Sequence, residues 1–336
     1  MNIRPCLFMA IKLLVLGCTM ELTKVKPHCP YLMPKNELLQ IDFIEFCNSK
    51  LGVSPTRVTS DITRWLDEDH GSGDPTLFAG FPKNPLVHFF VVAKHEFILS
   101  GLHIMQEVFR QTSGGTTKLY SDYKDGMLLK KGDIVLAGIG SASSILLSER
   151  VALNFTAKMS GISNKTYSIA SEINKLNKNI TLLETRKTTP GLRMYEKYAT
   201  RLGGARNHRH GLDTGAMLKE NHLRSIGSIE EALDNLNKFL PILTKIEIEV
   251  SNLNEFKAAL HKRPDVIMLD NFSLDDVRLA IIEKNNFDKN IKIELSGNLD
   301  EKNLFEITSL KVDYMSMGAL IHKAIWVDMS LQLYLP

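Results

Sequence analysis

The second half of the chain alternates short apolar runs with segments that carry helix signals. Five apolar runs occur between residues 180 and 320, and each is short enough to form one strand that is buried on both faces. Between these runs, Ser228, Asn252 and Ser273 each stand three residues before an acidic residue, a pattern typical of a helix N-cap. Strands and helices that alternate in this way predict a parallel sheet built from βα units.

The number of these units favours an irregular or open β/α barrel over a doubly wound sheet. A doubly wound dinucleotide-binding sheet usually carries a Gly-x-Gly-x-x-Gly sequence after its first strand, and none occurs there. Residues 39–147 differ, because one helical stretch is followed by strand-like runs that Gly-Asp and Asp-Gly turns connect. These residues predict an α+β sandwich-like domain with an antiparallel sheet.

The chain therefore divides into four parts. We expect an N-terminal extension (1–38), an N-terminal α+β domain (39–147), a β/α barrel (148–321) and a C-terminal segment (322–336) that packs back on the N-terminal domain.

The first residues of the chain contain an apolar stretch, residues 6–18. It is too short to span a membrane, which takes about 20 apolar residues. The hydrophobic region of a signal peptide stays open, but we favour a poorly ordered extension or a chain that starts at Met20 or Met33. All four cysteines lie in the first 47 residues, and none belongs to a Cys-x-x-Cys pair. We interpret them as reduced thiols of a cytoplasmic protein that has no membrane partner.

Charge is nearly balanced over the whole chain but is concentrated in one segment. With 41 Lys and Arg against 38 Asp and Glu, the net charge of +3 argues against a nucleic-acid partner. Residues 185–222 nevertheless collect cationic and histidine side chains around small-residue turns. Fixed cations in a cleft attract anionic small molecules. The members of this group are Arg186, Lys187, His208, Arg209, Lys219 and His222.

Polar residues follow each of the five apolar runs, where the chemistry of a β/α barrel is placed. Any one of them alone is more commonly a turn or helix-cap residue than a catalytic one, but together they favour a site. Because Mg²⁺ is usually held by one or two carboxylates and substrate phosphates, the acids predict Mg²⁺ or acceptors for sugar hydroxyls. The residues are Arg186 and Lys187, Glu249, Asp270, Ser296-Gly297-Asn298, and Ser316 to Ala319.

The number of cations predicts a ligand that carries several phosphates and carboxylates, since arginine binds both groups through its planar fork of donors. Small residues after the last two strands let backbone N–H groups approach a phosphate. A zinc site at His208 and His210 is disfavoured, because the adjacent Arg209 would repel a cation. A serine nucleophile is disfavoured as well, because the chain has no Gly-x-Ser-x-Gly sequence.

The chain resembles the quinolinate phosphoribosyltransferase family. "TRKT" alone is weak, because a molybdenum-associated family shares it, whereas Asn207, His208, Arg209 and Lys219 separate this chain from that relative. The resemblance begins at "LDEDHGSGDPT" (66–76) and runs nearly to the C-terminus. The strings that carry it are "SERVALNF", "TRKTTPGLR", "GGARNHRHGL", "LKENH", "IEIEV", "IMLDNF", "LSGN" and "SMGAL".

The resemblance implies an N-terminal α/β sandwich-like domain, an irregular β/α barrel and a pentosyltransferase activity. Members transfer phosphoribose from phosphoribosyl pyrophosphate (PRPP) to quinolinate with Mg²⁺ and release carbon dioxide, in NAD biosynthesis. By resemblance, the catalytic residues are Lys187, Lys219, Glu249 and Asp270, and the last two serve Mg²⁺. The residues that bind substrate by resemblance are Arg150, Thr185, Arg186, Lys187, His208, Arg209, Lys219, Glu249, Asp270, Ser296, Gly297, Asn298, Met317, Gly318 and Ala319.

The resemblance also implies a homodimer in which Arg150 reaches into the partner's site, and a larger oligomer stays open. From the residues alone, Arg150 is equally a surface cation near a helix that begins at Ser148, with Val151 and Phe155 on its apolar face. Two alternative functions remain. A transferase for nicotinate would need fewer cations, and a non-catalytic anion-binding relative should have lost Lys219, Glu249 or Asp270.

Overall fold

The computed structural model describes residues 29–80, 83–297, 299 and 304–336. The helices are α1 (Gln40–Glu45), which continues into a π-helix (Phe46–Leu51), α2 (Pro55–His70), α3 (Pro75–Gly80), α4 (Leu102–Thr112), α5 (Ala142–Leu176), α6 (Arg193–Leu202), α7 (Glu220–Ile226), α8 (Ile229–Phe239), α9 (Leu253–His261), α10 (Leu274–Phe287), α11 (Leu304–Thr308) and α12 (Ala319–His322). The strands are β1 (Leu86–Ala93), β2 (Phe97–Ile98), β3 (Lys118–Tyr120), β4 (Leu128–Leu129), β5 (Ile134–Ser141), β6 (Thr181–Leu183), β7 (Ala216–Leu218), β8 (Ile246–Val250), β9 (Val266–Asp270), β10 (Lys292–Ser296), β11 (Tyr314–Ser316) and β12 (Met329–Tyr334).

The N-terminal domain is built on an antiparallel sheet with strand order β12-β1-β5-β3, and β2 pairs with β4 in a small separate sheet. The ring of Phe89 on β1 stacks on Phe109 of α4 with centroids 4.7 Å apart, and both side chains are fully buried. The antiparallel sheet that the turn pattern predicts is confirmed. Strand β12 lies in the C-terminal segment and pairs with β1 over its whole length, so the end of the chain is part of this domain.

Part of the predicted N-terminal extension is packed on this sheet. The ring centroid of Tyr31 lies 5.2 Å from that of Phe90, and the N–H of Leu38 donates to the carbonyl of Leu119 at 2.8 Å. Residues 1–28, which include the apolar stretch, lie outside the described residues. Within the part of the chain that is described, no helix is long and apolar enough to cross a membrane.

Helix α5 begins earlier than the sequence predicts. Its N-cap is Ser141, whose Oγ accepts the N–H of Ser144, so the predicted start at Ser148 is wrong. Ser148 is fully buried and donates to the carbonyl of Ser144 at 2.6 Å. A serine can make this bond to the preceding turn inside a helix, so a serine before an apolar face does not by itself mark a helix start.

The C-terminal half forms a parallel sheet with strand order β6-β11-β10-β9-β8-β7. Ser228, Asn252 and Ser273 are the N-caps of α8, α9 and α10, as predicted. Their side-chain oxygens accept backbone N–H groups at 3.0–3.2 Å. The N–H of Arg206 extends the sheet beyond β6 by donating to the carbonyl of Leu182 at 2.9 Å. Among the described residues, no ladder joins the Arg206 segment to β7. The predicted fold class, an α+β domain followed by an open β/α barrel, is confirmed.

Candidate active site

A cavity of about 490 Å³ lies at the carboxyl ends of the parallel strands. Six elements contribute side chains to it, so the site depends on the whole sheet rather than on one segment. The lining residues are Thr185, Arg186, Lys187, His208, Arg209, Met217, Lys219, Glu249, Met268, Asp270, Glu294, Ser296 and Ser316.

The cavity brings together most of the residues that the sequence singled out. Ten of them line it directly, from Thr185 to Ser316. Gly318 lies at its edge, because a Cβ at this glycine would stand 2.9 Å from Cδ of Lys187 and 3.3 Å from Oγ1 of Thr185. Gly297 and Met317 adjoin the lining residues Ser296 and Ser316 in the chain, and Ala319 follows Gly318. Asn298 lies outside the described residues.

Arg150 does not line this cavity. It lies on α5, where its Nη2 stands 3.9 Å from Oε1 of Glu149 and its side chain is 69% exposed. The geometry of the cavity in this chain therefore gives no role to Arg150.

The segment 184–188 turns so that neighbouring cations face one cavity. On a strand, Arg186 and Lys187 would point to opposite faces, but β6 ends at Leu183. The N–H of Lys187 then donates to Oγ1 of Thr185 at 3.1 Å, and the N–H of Thr188 donates to the carbonyl of Arg186 at 2.9 Å. The turn removes the strand alternation, which is why both side chains line the cavity.

Lys219 and Glu249 form an ion pair across the cavity. Lys219 follows β7 directly, and Glu249 lies on the neighbouring strand β8. The lysine side chain is 43% exposed and that of Glu249 is 17% exposed. This lysine stays accessible to a ligand, because it is held only by a partner at the cavity surface.

His208 and Glu294 line the cavity and form a largely buried group with Glu247. Nε2 of His208 lies 3.0 Å from Oε2 of Glu247 and 3.7 Å from Oε2 of Glu294. Burial raises the pKa of Glu294 to about 7, the charge of Glu247 adds to this shift, and His208 opposes it. Burial lowers the pKa of His208, but the hydrogen bond to Glu247 and the surrounding carboxylates outweigh it and raise the pKa overall.

This group offers three ligand atoms within 4.8 Å of one another, but its hydrogen bonds do not suit a metal ion. A histidine that binds metal through Nε2 normally donates its Nδ1–H to an acceptor. Nδ1 of His208 instead accepts the backbone N–H of Arg209 at 2.7 Å, and Arg209 itself lines the cavity. The arrangement therefore favours a proton between His208 and Glu247 over a cation.

The loop that carries His208 is fixed by a fully buried ion pair between Glu184 and Lys197. Glu184 accepts the N–H of His208 at 3.1 Å, and Nζ of Lys197 donates to the carbonyl of His208 at 3.1 Å. Burial raises the pKa of Glu184 and lowers that of Lys197, and each partner opposes the shift of the other. A displaced His208 would leave both buried groups short of a partner.

Sequence reasoning missed Glu184, Lys197, Glu247 and Glu294. One signal was available for the last two. In "IEIEV" and "IKIEL", strand alternation places Glu247 on the face of Glu249 and Glu294 on the face of Ser296. Glutamates on a strand that faces a barrel interior are costly without partners, so they mark a site.

Comparison with known proteins identifies the family. The family model "Quinolinate phosphoribosyl transferase, C-terminal domain" matches residues 162–332, and the corresponding N-terminal domain matches residues 58–160. The chain is 37% identical over 273 residues to the probable nicotinate-nucleotide pyrophosphorylase [carboxylating] of Synechocystis, with 81% of this chain and 91% of the relative covered. The protein of the same name from Bacillus subtilis is 36% identical over 278 residues, which cover 82% of this chain and 92% of the relative.

Solved structures agree with the sequence relatives. NadC from Streptococcus pyogenes superposes with a TM-score of 0.78 and 36% identity, over 84% of this chain and 99% of that one. The nicotinate-nucleotide pyrophosphorylase of Francisella tularensis gives a TM-score of 0.76 and 33% identity, over 83% and 96% of the two chains. The chain therefore belongs to the quinolinate phosphoribosyltransferase family.

Proposed function

We propose that this protein transfers the phosphoribosyl group of PRPP to the ring nitrogen of quinolinate and forms nicotinate mononucleotide, pyrophosphate and carbon dioxide. The observation that carries the proposal is the single cavity in which Arg186, Lys187, Arg209 and Lys219 face Glu249 and Asp270. The names of the relatives support the same reaction.

The cations match the charges of the two substrates. Quinolinate carries two carboxylates, and PRPP carries a phosphate and a pyrophosphate. Nε of Arg186 and Nε of Arg209 are buried and have no hydrogen-bond partner among the residues that the structure describes. Because an unpaired buried donor is costly, these guanidinium groups are ready to bind carboxylate oxygens. The open donors support a dianionic acceptor over nicotinate, which has one carboxylate.

The ends of β10 and β11 suit the 5′-phosphate. Ser296 and Gly297 end one strand, and Met317, Gly318 and Ala319 follow the other. Apart from Met317, these residues have small side chains, so backbone N–H groups at the strand ends can approach phosphate oxygens closely.

Glu249 and Asp270 fit a magnesium ion that is bound together with PRPP. They are carboxylates on neighbouring strands and line the same cavity, and Mg²⁺ is usually bound by one or two carboxylates plus substrate phosphates. When bound, Mg²⁺ neutralises the charge that develops on pyrophosphate.

The protein residues hold two mutually repelling anions in the geometry for attack. The ring nitrogen attacks the anomeric carbon as pyrophosphate leaves, through a transition state with oxocarbenium character. Fixed cations offset the repulsion and stabilise the leaving group without reorganising during the reaction. The new bond makes the ring nitrogen cationic, and this charge stabilises the carbanion that remains after the 2-carboxylate leaves as carbon dioxide. The carbanion then takes up a proton from solvent, which completes nicotinate mononucleotide.

An assay with two acceptors tests the proposed reaction. Purified protein is incubated with PRPP, Mg²⁺ and either quinolinate or nicotinate, and mononucleotide and carbon dioxide are measured. We expect mononucleotide and carbon dioxide in equal amounts from quinolinate. Turnover of nicotinate but not quinolinate would refute the choice of acceptor, and binding of both substrates without turnover would indicate a non-catalytic relative.

We also propose a homodimer in which Arg150 completes the partner's site, and a cytoplasmic location. The exposed Arg150 side chain supports the first, and the free thiols of Cys29 and Cys47 support the second.

A mixing experiment tests the shared site. Arg150→Ala and Lys219→Ala should each be nearly inactive, but in a mixed dimer both defects fall on one site. Random exchange makes half of the dimers mixed, so about a quarter of the wild-type activity should return. No recovery under proven exchange would exclude the shared site.

A further inference from the structure

Asn271 has an unusual backbone conformation at the edge of the cavity. It follows Asp270 at the end of β9 with φ of 57°, in the left-handed region. Asparagine tolerates this region better than most residues, but its backbone is strained there and that of glycine is not. The surroundings of its side chain indicate why an asparagine stands here.

The side chain of Asn271 contacts the carboxylate of Asp270. Nδ2 of Asn271 donates to Oδ2 of Asp270 at 2.9 Å. Because this bond occupies one carboxylate oxygen, it orients the carboxylate and leaves Oδ1 for a ligand in the cavity.

The same residue contacts the loop after the next strand. The N–H of Asn271 donates to the carbonyl of Ser296 at 3.1 Å, and Ser296 is the register partner of Asp270. Gly297 packs so closely on the amide that a Cβ there would lie 2.6 Å from Cγ and 2.9 Å from N of Asn271. Gly297 also has a positive φ of 81°, so no other residue fits at this contact without strain.

We propose that Asn271 is a positioning residue that sets the distance between the Asp270 carboxylate and the phosphate-binding loop at Ser296 and Gly297. The inference rests on the proposed function, in which Asp270 serves the ribose and magnesium side of PRPP and the loop binds its 5′-phosphate. Asn271 holds both, through its side-chain amide at Asp270 and its backbone N–H at Ser296, so the ribose 5-phosphate part of the substrate meets its two ends at a fixed spacing. Arg186 and Arg209, which we assign to quinolinate, are not among the residues that Asn271 contacts in the described part of the chain, so quinolinate binding should not depend on Asn271.

Two substitutions separate this role from that of a simple turn. Asn271→Gly keeps the left-handed backbone and removes the amide, whereas Asn271→Asp keeps the shape and replaces the donor with a negative charge beside Asp270. Arg263→Gly is the matched control, because Arg263 precedes the same strand and also has a positive φ, 53°. Thermal unfolding of each variant verifies that it is folded.

The main measurement is calorimetric binding of ribose 5-phosphate without metal, and of quinolinate as reference. We expect Asn271→Gly to raise the Kd of ribose 5-phosphate about 10-fold and that of quinolinate less than about twofold. KM for PRPP should rise similarly, and KM for quinolinate should stay near the wild-type value. Asn271→Asp should weaken ribose 5-phosphate more than Asn271→Gly does, and Arg263→Gly should change neither ligand.

Several results would overturn the positioning role. These are an unchanged Kd for ribose 5-phosphate in either Asn271 variant, equal weakening of both ligands, an equal effect of Arg263→Gly, or no binding of ribose 5-phosphate to the wild-type protein. An unfolded Asn271→Gly leaves the decision to Asn271→Asp, and unfolding of both would assign Asn271 to stability instead. Failure of the proposed function is distinguishable, because it shows in the wild-type protein as absent turnover of quinolinate.

Discussion

Both domains bury charged side chains, but the network around Glu107 and the network at the cavity differ in whether the protein itself supplies the hydrogen-bond partners. In the N-terminal domain, Glu107 is fully buried and receives donors on both oxygens, from Nε and Nη2 of Arg110 at 2.6 Å and from Gln111 at 3.1 Å. In the barrel domain, Oε1 of Glu247 and Nε of Arg186 are equally inaccessible but have no hydrogen-bond partner in the described part of the chain.

This difference separates a structural network from a binding site. A buried polar group without a partner is costly, and native proteins leave few of them. The Glu107 network is complete within the chain, so its contribution is to stability. The network at the cavity leaves cationic donors such as Nε of Arg186 unpaired within the described residues, so an anionic ligand can supply their partners. Substitutions in the two regions should therefore affect different measurements.

The largest effect is expected from Glu107→Ala in the closed network. It leaves Arg110 without its partner, and breaking a buried pair lowers the free energy of unfolding by about 3–5 kcal/mol. Chemical denaturation measures the loss, and the activity per folded molecule should stay unchanged. The exposed Glu306 provides the control in Glu306→Ala. If activity per folded molecule fell with Glu107→Ala, the two regions would be coupled and the contrast would fail.

Lys219→Ala should show the opposite behaviour. Removing one cation that stabilises the developing charge should lower kcat/KM about 10²–10³-fold, or about 3–4 kcal/mol. The thermal midpoint should change little, because the lysine is half-exposed. Lys245→Ala is the matched control, since Lys245 pairs with Asp265 just before β8 and is 82% exposed. A large loss of stability with intact kinetics would place Lys219 among the structural residues instead.

The pH dependence of stability tests the interior of the barrel. The pKa of Glu294 is raised from 4.5 to about 7, so the folded protein binds more protons than the unfolded chain in this interval. The stabilisation is complete below about pH 4.5 and is lost as pH rises through 7. It amounts to about 3 kcal/mol.

Glu294→Gln should remove this component. Denaturation of both proteins between pH 4.5 and 8 should show wild type losing stability relative to the variant as pH rises. The exposed Glu306→Gln should follow wild type at every pH. Parallel curves for wild type and Glu294→Gln would mean that folding does not raise the pKa of Glu294, and the prediction would be wrong.

The sequence predicted local features well. The N-caps at Ser228, Asn252 and Ser273 depend on residues three positions apart, and the polar residues at strand ends follow from the parallel sheet. The group of His208 and Glu294 was missed, because curvature of the sheet brings the loop before β7 against β10. Asn271 was missed for a related reason, since its contact with Gly297 joins two strands. Ser148 shows the reverse error, in which a local pattern fits a helix start that lies earlier.

The smallest effect is expected at the outer face of the antiparallel sheet in the N-terminal domain. The rings of Tyr31 and Phe90 form a tilted pair, and Tyr334 completes the contact at 6.2 Å from Tyr31. We compare a chain that begins at Cys29 with one that begins at Met33, so that residues 29–32 are the difference. An aromatic pair of this kind contributes about 0.5–1.5 kcal/mol, so the shorter chain should lose about 1 kcal/mol of stability. Its kcat/KM should match that of the longer chain, because the contact lies on the antiparallel sheet of the N-terminal domain rather than at the cavity.

Tyr31→Ala in the chain that begins at Cys29 assigns the effect. It should reproduce most of the loss, whereas Leu32→Ala should be neutral, because Leu32 is 87% exposed. If the chain that begins at Met33 lost activity as well as stability, the N-terminal sheet would influence the cavity. The complete network around Glu107 and the incomplete network at the cavity would then belong to one cooperative structure. Stability and activity could not be assigned to separate regions.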